Sequence, residues 1–254
     1  MEVIVCDTPH EVAVKAADIF QGYAQDGGVL GVATGSTPLL TYHELIRRYK
    51  AGEVSFAGCT MFALDEYVGL PIDHEQSYYR VIHDELSDHV DIDPANVHIP
   101  NGLADDVPAA AADYEQAIID AGGIDIQLLG IGTNGHVGFN EPASSLSSLT
   151  RMKTLHPQTV ADNARFFDSL EEVPIHVVTQ GLGTIQRARQ LVLLATGEHK
   201  AHAVSQLVEG PLSASCPASV LQIHPHATVI VDEAAASKLH NVDYYKFIQQ
   251  HKPA

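Results

Sequence analysis

Val29-Leu30-Gly31-Val32-Ala33 runs into Thr34-Gly35-Ser36-Thr37-Pro38 and then into Leu39-Leu40-Thr41-Tyr42-His43-Glu44-Leu45-Ile46-Arg47-Arg48-Tyr49-Lys50. VLGVA is apolar without alternation, the pattern of a strand buried on both faces of a parallel sheet. Thr37 to Lys50 then reads as a helix, with Leu40, Tyr42, Leu45 and Ile46 as its apolar positions. Glycine in the connecting turn lets backbone N–H groups approach a ligand closely. Ser36 and Thr37 add hydroxyls, and Pro38 suits a first helical turn. A helix N-terminus at a strand's carboxyl end is an anion site, so Gly35, Ser36 and Thr37 are candidate phosphate ligands. The loop matches neither common nucleotide-binding glycine pattern.

The same alternation extends outward. Strands are expected at Val3–Cys6, Cys59–Leu64, Ile126–Ile131, His176–Thr179, Gln190–Ala195 and Ala227–Val231. Thr8, Pro9 and Glu11 form a capping box for a helix ending near Tyr23. Further helices are expected at Ser77–Leu86, Ala109–Ala121, Thr184–Arg189 and His199–Val208. Strand and helix in turn imply an α/β domain with a mostly parallel sheet and right-handed crossovers. With no linker or repeat, residues 1–254 are expected to form one domain. Residues 155–173 are polar and irregular, the character of a mobile cover over a site.

Composition narrows the ligand. With 14 Lys+Arg against 32 Asp+Glu the chain carries −18, and residues 81–150 hold twelve acids and no Lys or Arg. That field repels nucleic acid and anionic membranes. No apolar run approaches the ~20 residues of a bilayer span, and no secretory signal is visible. Three scattered cysteines make no disulfide framework, so a reduced, cytoplasmic protein is expected. An anionic ligand must be met locally, by scarce cations or helix N-termini.

Two further stretches carry chemistry. Leu64-Asp65-Glu66-Tyr67 places adjacent acids at a strand's carboxyl end, where their side chains diverge. One can enter a cleft as a partly desolvated general base while the other makes structural bonds. Gly130-Ile131-Gly132-Thr133-Asn134-Gly135-His136-Val137-Gly138-Phe139-Asn140-Glu141-Pro142 follows the strand Ile126–Ile131 and sets a proton carrier near an acid able to orient it. His199 with His202, and His224 with His226, lack a third metal ligand, so no metal site is expected there.

In ATGSTP, LDEYVGLP followed by SYY, GHVGFNEPASS, TRMKTL, NARFFD and TGEHKA, the chain resembles the glucosamine-6-phosphate deaminase (isomerase) family over roughly residues 28 to 233. The resemblance implies a doubly wound, Rossmann-like sheet with helices on both faces. It implies cofactor-free conversion of glucosamine 6-phosphate to fructose 6-phosphate and ammonia, in amino-sugar catabolism. Asp65 would be the base moving a proton between C2 and C1, His136 would open the pyranose ring, and Glu141 would partner that histidine. Arg165 and Lys200 would join Gly35, Ser36 and Thr37 in holding the phosphate. Some members carry Asp where this chain has Asn134. An amide holds an imidazole but cannot stabilise its positive charge, so Glu141 is expected to carry more of that task. Ser144, Arg151 and Lys153 match a second phosphate site through which some hexameric members are activated by N-acetylglucosamine 6-phosphate; a homo-oligomer is expected on this basis. The competing readings are a deaminase for the galactosamine epimer, a 6-phosphogluconolactonase, and a non-catalytic sugar-phosphate sensor.

Overall fold

The computed structural model describes residues 1–252, so the last two residues of the expected 1–254 domain lie outside the described residues. Its strands are β1 (Glu2–Cys6), β2 (Val29–Val32), β3 (Thr60–Ala63), β4 (Asp65–Tyr67), β5 (Val97–His98), β6 (Ile126–Gly130), β7 (Arg151–Thr154), β8 (His176–Thr179), β9 (Gln190–Ala195) and β10 (Ala227–Asp232). Its helices are α1 (Pro9–Gln25), α2 (Ser36–Lys50), α3 (Tyr78–Glu85), α4 (Val107–Asp120), α5 (Pro157–Asn163), α6 (Leu182–Gln186), α7 (Ala201–Val208), α8 (Glu233–Ala236) and α9 (Val242–Gln250).

Seven strands form one all-parallel sheet in the order β1-β10-β9-β6-β2-β3-β5. The apolar strands are continuous because each face meets its own core. Leu128, Val192, Leu194 and Ile230 pack with Phe20 of α1, Tyr42 and Leu45 of α2, and Ile82 of α3. Their neighbours Leu129, Leu191, Leu193 and Val229 turn to the other face, against Ile118 of α4, Ile185 of α6 and Val204 of α7. The sheet is therefore doubly wound, with helices on both faces. Strand order reverses between β2 and β6, so the loops that follow them open a crevice at the carboxyl edge.

Several elements differ from expectation at the level of pairing. His176–Thr179 is a strand, but it belongs to a separate antiparallel sheet of order β4-β8-β7. There Asp65 pairs with Thr179, and Thr179 pairs on its other side with Arg151. Residues 155–173 are not irregular throughout: they hold α5 and two 3-10 turns, at Ala164–Phe166 and Leu170–Glu172. The capping box at α1 forms with a shift, since Glu11 reaches back to the Asp7 N–H and not to that of Thr8.

A buried acid ties the two sheets together. Glu115 of α4 accepts from the Thr150 N–H (3.1 Å) and hydroxyl (2.5 Å) just before β7, and from Thr184 of α6 (2.8 Å), with Arg187 as its ion-pair partner. Burial opposes ionisation here, but these donors outweigh it and hold the carboxyl below its ordinary value. Glu115→Ala leaves those donors unmatched, so unfolding in urea is expected to show a loss of about 2–4 kcal/mol.

Candidate active site

The crevice collects the loops that follow β2, β3, β6 and β9. The first begins with Gly35, whose φ of 110° is open to glycine, and which stands as the N-cap of α2 with no side-chain cap. Ser36 and Thr37 are the first residues of the helix and neither is its N-cap. The leading N–H groups of α2 are therefore left for an anion. Lys200 enters from a 3-10 turn after β9 and donates to the Ile131 carbonyl at the end of β6 (2.7 Å). Burial lowers its ammonium pKa first, and repulsion from Arg165 lowers it further. Arg165 lies exposed on the cover segment, over the Phe166 ring.

The two adjacent acids part as expected. Glu66 accepts the backbone N–H groups of Tyr67 (2.7 Å), Tyr78 (3.0 Å) and Tyr79 (2.8 Å), and so seats the N-terminus of α3. Asp65 is 4 % exposed, and among the described residues no side-chain hydrogen bond or ion pair reaches its carboxylate. Burial raises its pKa well above the usual carboxylate value, and the charge of Glu66 adds to the shift. Tyr67, Tyr78 and Tyr114 are close enough to feel its charge. The Tyr78 hydroxyl donates to that of Tyr67 (3.4 Å). The site thus holds a desolvated base facing apolar and phenolic groups.

Across the crevice, the loop after β6 turns at Gly135 (φ 85°) and Gly138 (φ 56°). Bare space at Gly138 admits the Asp65 carboxylate: a Cβ there would stand 3.3 Å from Oδ2 and 3.0 Å from the Thr179 hydroxyl. His136 Nδ1 is 3.6 Å from Glu141 Oε2, an ion-pair separation longer than a hydrogen bond. Glu141 is 6 % exposed; although burial alone would raise its carboxyl, His136, Thr159 and Asn134 hold it at about 2. Asn134 does not touch the imidazole. Its Nδ2 donates to Glu141 Oε2 (2.7 Å) and its Oδ1 accepts the His136 backbone N–H (3.1 Å). It positions the acid and the chain, and leaves the ring to Glu141.

Ser144, Arg151 and Lys153 form a different grouping. The Ser144 hydroxyl is buried and has no hydrogen-bond partner among the described residues. Arg151 donates to Asn140 Oδ1 (2.8 Å), and burial lowers its pKa. No hydrogen bond joins the three to one another among the described residues. The structure also adds residues that the sequence did not single out. Asn140, fully buried, donates to the Val137 and Gln180 carbonyls (2.9 and 2.8 Å). Gln180 donates to the Ala63 carbonyl (3.0 Å), and the Thr179 hydroxyl accepts from Phe139 N–H (3.1 Å). Together they clamp the His136 loop to the strand end that carries Asp65. His224, one of the four weighed as metal ligands, bonds the Ala188 carbonyl instead (2.9 Å).

The chain is similar to known proteins over most of its length. A family model described as glucosamine-6-phosphate isomerases/6-phosphogluconolactonase matches residues 9–230. A glucosamine-6-phosphate deaminase of Corynebacterium kroppenstedtii is 62 % identical over 253 residues, covering 100 % of this chain and 98 % of that protein. One of Rhodococcus opacus is 56 % identical over 255 residues, with coverage of 100 % and 98 %. Among solved structures, one described as a monomeric glucosamine-6-phosphate deaminase superposes with a TM-score of 0.92 at 44 % identity, covering 94 % of this chain and 100 % of that one. A 6-phosphogluconolactonase of Trypanosoma cruzi, at 21 % identity and TM-score 0.77, covering 94 % and 97 %, shares the fold.

Gly132 supports the ring itself: a Cβ there would lie 2.2–2.4 Å from the His136 imidazole. Gly132→Ala is expected to push the ring aside and lower kcat/KM about 100-fold, with the thermal midpoint nearly unchanged. Steady-state kinetics beside a melting curve checks both.

Proposed function

Because the chain belongs to the family of glucosamine-6-phosphate isomerases and 6-phosphogluconolactonases, we propose that it converts glucosamine 6-phosphate and water into fructose 6-phosphate and ammonia. The observation that carries this reading is Asp65, a buried carboxyl with no cation paired to it among the described residues. It lies in the same crevice as the His136–Glu141 pair and the uncapped start of α2.

The chemistry follows from those parts. The phosphate rests on the N–H groups at Gly35, Ser36 and Thr37, with Lys200 and Arg165 supplying charge. An anion between the two cations removes their mutual repulsion. His136 passes a proton to the ring oxygen as the C1 hydroxyl gives one up, with Glu141 facing the imidazole. In the open chain, Asp65 takes the C2 proton to give an enolamine and returns it to C1. The resulting C2 imine adds water and expels ammonia. One carboxyl serves both transfers because burial weakens it as an acid and strengthens it as a base. The relatives at 62 % and 56 % identity bear the deaminase name, which favours this reaction over lactone hydrolysis.

Assembly and regulation are separate proposals. The resemblance favours a homo-oligomer in the cytoplasm, activated through Ser144, Arg151 and Lys153. The relative described as monomeric favours the opposite assembly. No described helix is long and apolar enough to cross a membrane. Sedimentation decides the first point: a single 27.3 kDa species excludes the oligomer. A hyperbolic velocity curve unmoved by N-acetylglucosamine 6-phosphate excludes the activation.

Asp65→Asn tests the central assignment. Ammonia release is expected to fall about 10²–10⁴-fold, the range of a lost general base. Stability is expected to move the other way. A folded-state carboxyl with a raised pKa costs stability above its unfolded value, and the amide removes that cost at neutral pH. A gain of about 1 kcal/mol would raise Tm by about 2–4 °C. In the wild type, kcat/KM falls as pH drops through the raised Asp65 pKa, and a wild type that releases no ammonia overturns the reading.

A further inference from the structure

The cover segment reaches the acid that faces His136. We propose that Thr159 is a positioning residue through which residues 155–173 complete the His136–Glu141 pair. This rests on the reading of that pair as the acid–base couple for ring opening.

The two oxygens of Glu141 have separate holders. Oε2 accepts from Asn134 Nδ2 (2.7 Å) and faces His136 Nδ1 (3.6 Å), both in the loop after β6. Oε1 accepts the Thr159 hydroxyl in a short hydrogen bond, with the His156 N–H at 3.5 Å. Thr159 lies on α5 and is 5 % exposed. The cover is tied to the β4 side as well, by Asn163 donating to the Tyr67 hydroxyl (2.9 Å) and by Phe167 set edge-on to the Tyr67 ring. The cover and the body therefore each grip one oxygen of the same carboxylate.

The terminal torsion of a glutamate is broad, so a carboxylate held at one oxygen turns easily. Held at both, it keeps Oε2 directed at the imidazole. His136 Nδ1 is buried and has no hydrogen-bond partner among the described residues. A movement of about half an ångström closes the gap to a charge-assisted hydrogen bond. Among the described residues no Lys, Arg or second His nitrogen lies within 4.0 Å of Glu141. Asn134, Thr159 and the His156 N–H are neutral donors, so His136 is the one titrating partner that Thr159 can influence through this acid.

A threonine that only fills space under the cover would behave differently, and Thr159→Val separates the two, since it keeps the shape and removes the hydroxyl. The variants are Thr159→Val, Thr159→Ser, Glu141→Gln and the double Thr159→Val/Glu141→Gln. Each is followed by the pH profile of ammonia release and by NMR titration of the His136 ring in the unliganded protein. Thr159→Val is expected to lower kcat/KM about tenfold, within the range for outer-shell partners. It is also expected to move the His136 titration to lower pH, because a loosened carboxylate stabilises the imidazolium less. Thr159→Ser restores both, and Thr159→Val adds no further loss to Glu141→Gln. A Thr159→Val enzyme with a wild-type His136 titration and an equal loss at every pH overturns the proposal, as does strict additivity in the double variant. If Glu141→Gln itself leaves the titration and the pH profile unmoved, the pairing is wrong and the role of Thr159 falls with it.

Discussion

Keeping the Asp65 carboxyl out of water, with no cation paired to it among the described residues, is the constraint around which this fold is arranged. A charged group in that position is costly, and the usual remedy is a paired Lys or Arg. Here the remedy would cancel the basicity. The structure instead immobilises everything that could relax toward the charge. β4 pairs with β8, so the backbone at Asp65 is hydrogen-bonded. Gln180 and Asn140 lock the adjacent strand ends and the loop after β6 by backbone carbonyls. Gly138 removes the side chain that would otherwise occupy the carboxylate's space. The neighbouring acid is spent on three N–H groups of the chain. A second ionised group is thus kept from competing for the same crevice, although its charge still raises Asp65.

The same scarcity of cations shapes the phosphate side. In a chain of −18, a sugar phosphate is repelled at long range and must be repaid at contact. An uncapped helix start supplies directed N–H groups without adding side-chain charge. The two cations then stand near enough to repel one another, and Lys200 loses basicity by burial and by that repulsion. An anion bound between them would offset that repulsion.

Much of this was legible in the sequence, for physical reasons. Continuous apolar runs reveal a strand buried on both faces, so the doubly wound sheet and the strands at Val29, Ile126, Gln190 and Ala227 could be read directly. Asp65, His136 and Glu141 sit in short glycine- or acid-marked stretches at strand ends, where side chains are free to face a ligand. The small antiparallel sheet was not legible. β4 has three residues and follows β3 after Leu64 alone, and β7, Arg-Met-Lys-Thr, has no buried face pattern. Their pairing depends on β8, more than a hundred residues from β4. Thr159 was hidden for a related reason. It lies 18 residues beyond Glu141 in a polar stretch, and its role exists only once the cover folds back.

Asn134 shows how a single amide changes the electrostatics without changing the chain path. An aspartate at that position would face Glu141 across 2.7 Å, and two like charges at that distance cannot both remain ionised. One proton would then be shared among two carboxyls and an imidazole, and the three would titrate as a unit. With an amide the donor is fixed, Glu141 stays ionised, and His136 faces that one acid alone. The acid's direction is set by the two neutral donors on either oxygen, one from the rigid loop and one from the cover. An amide at 134 therefore leaves the pairing with His136 to the geometry of a single carboxylate.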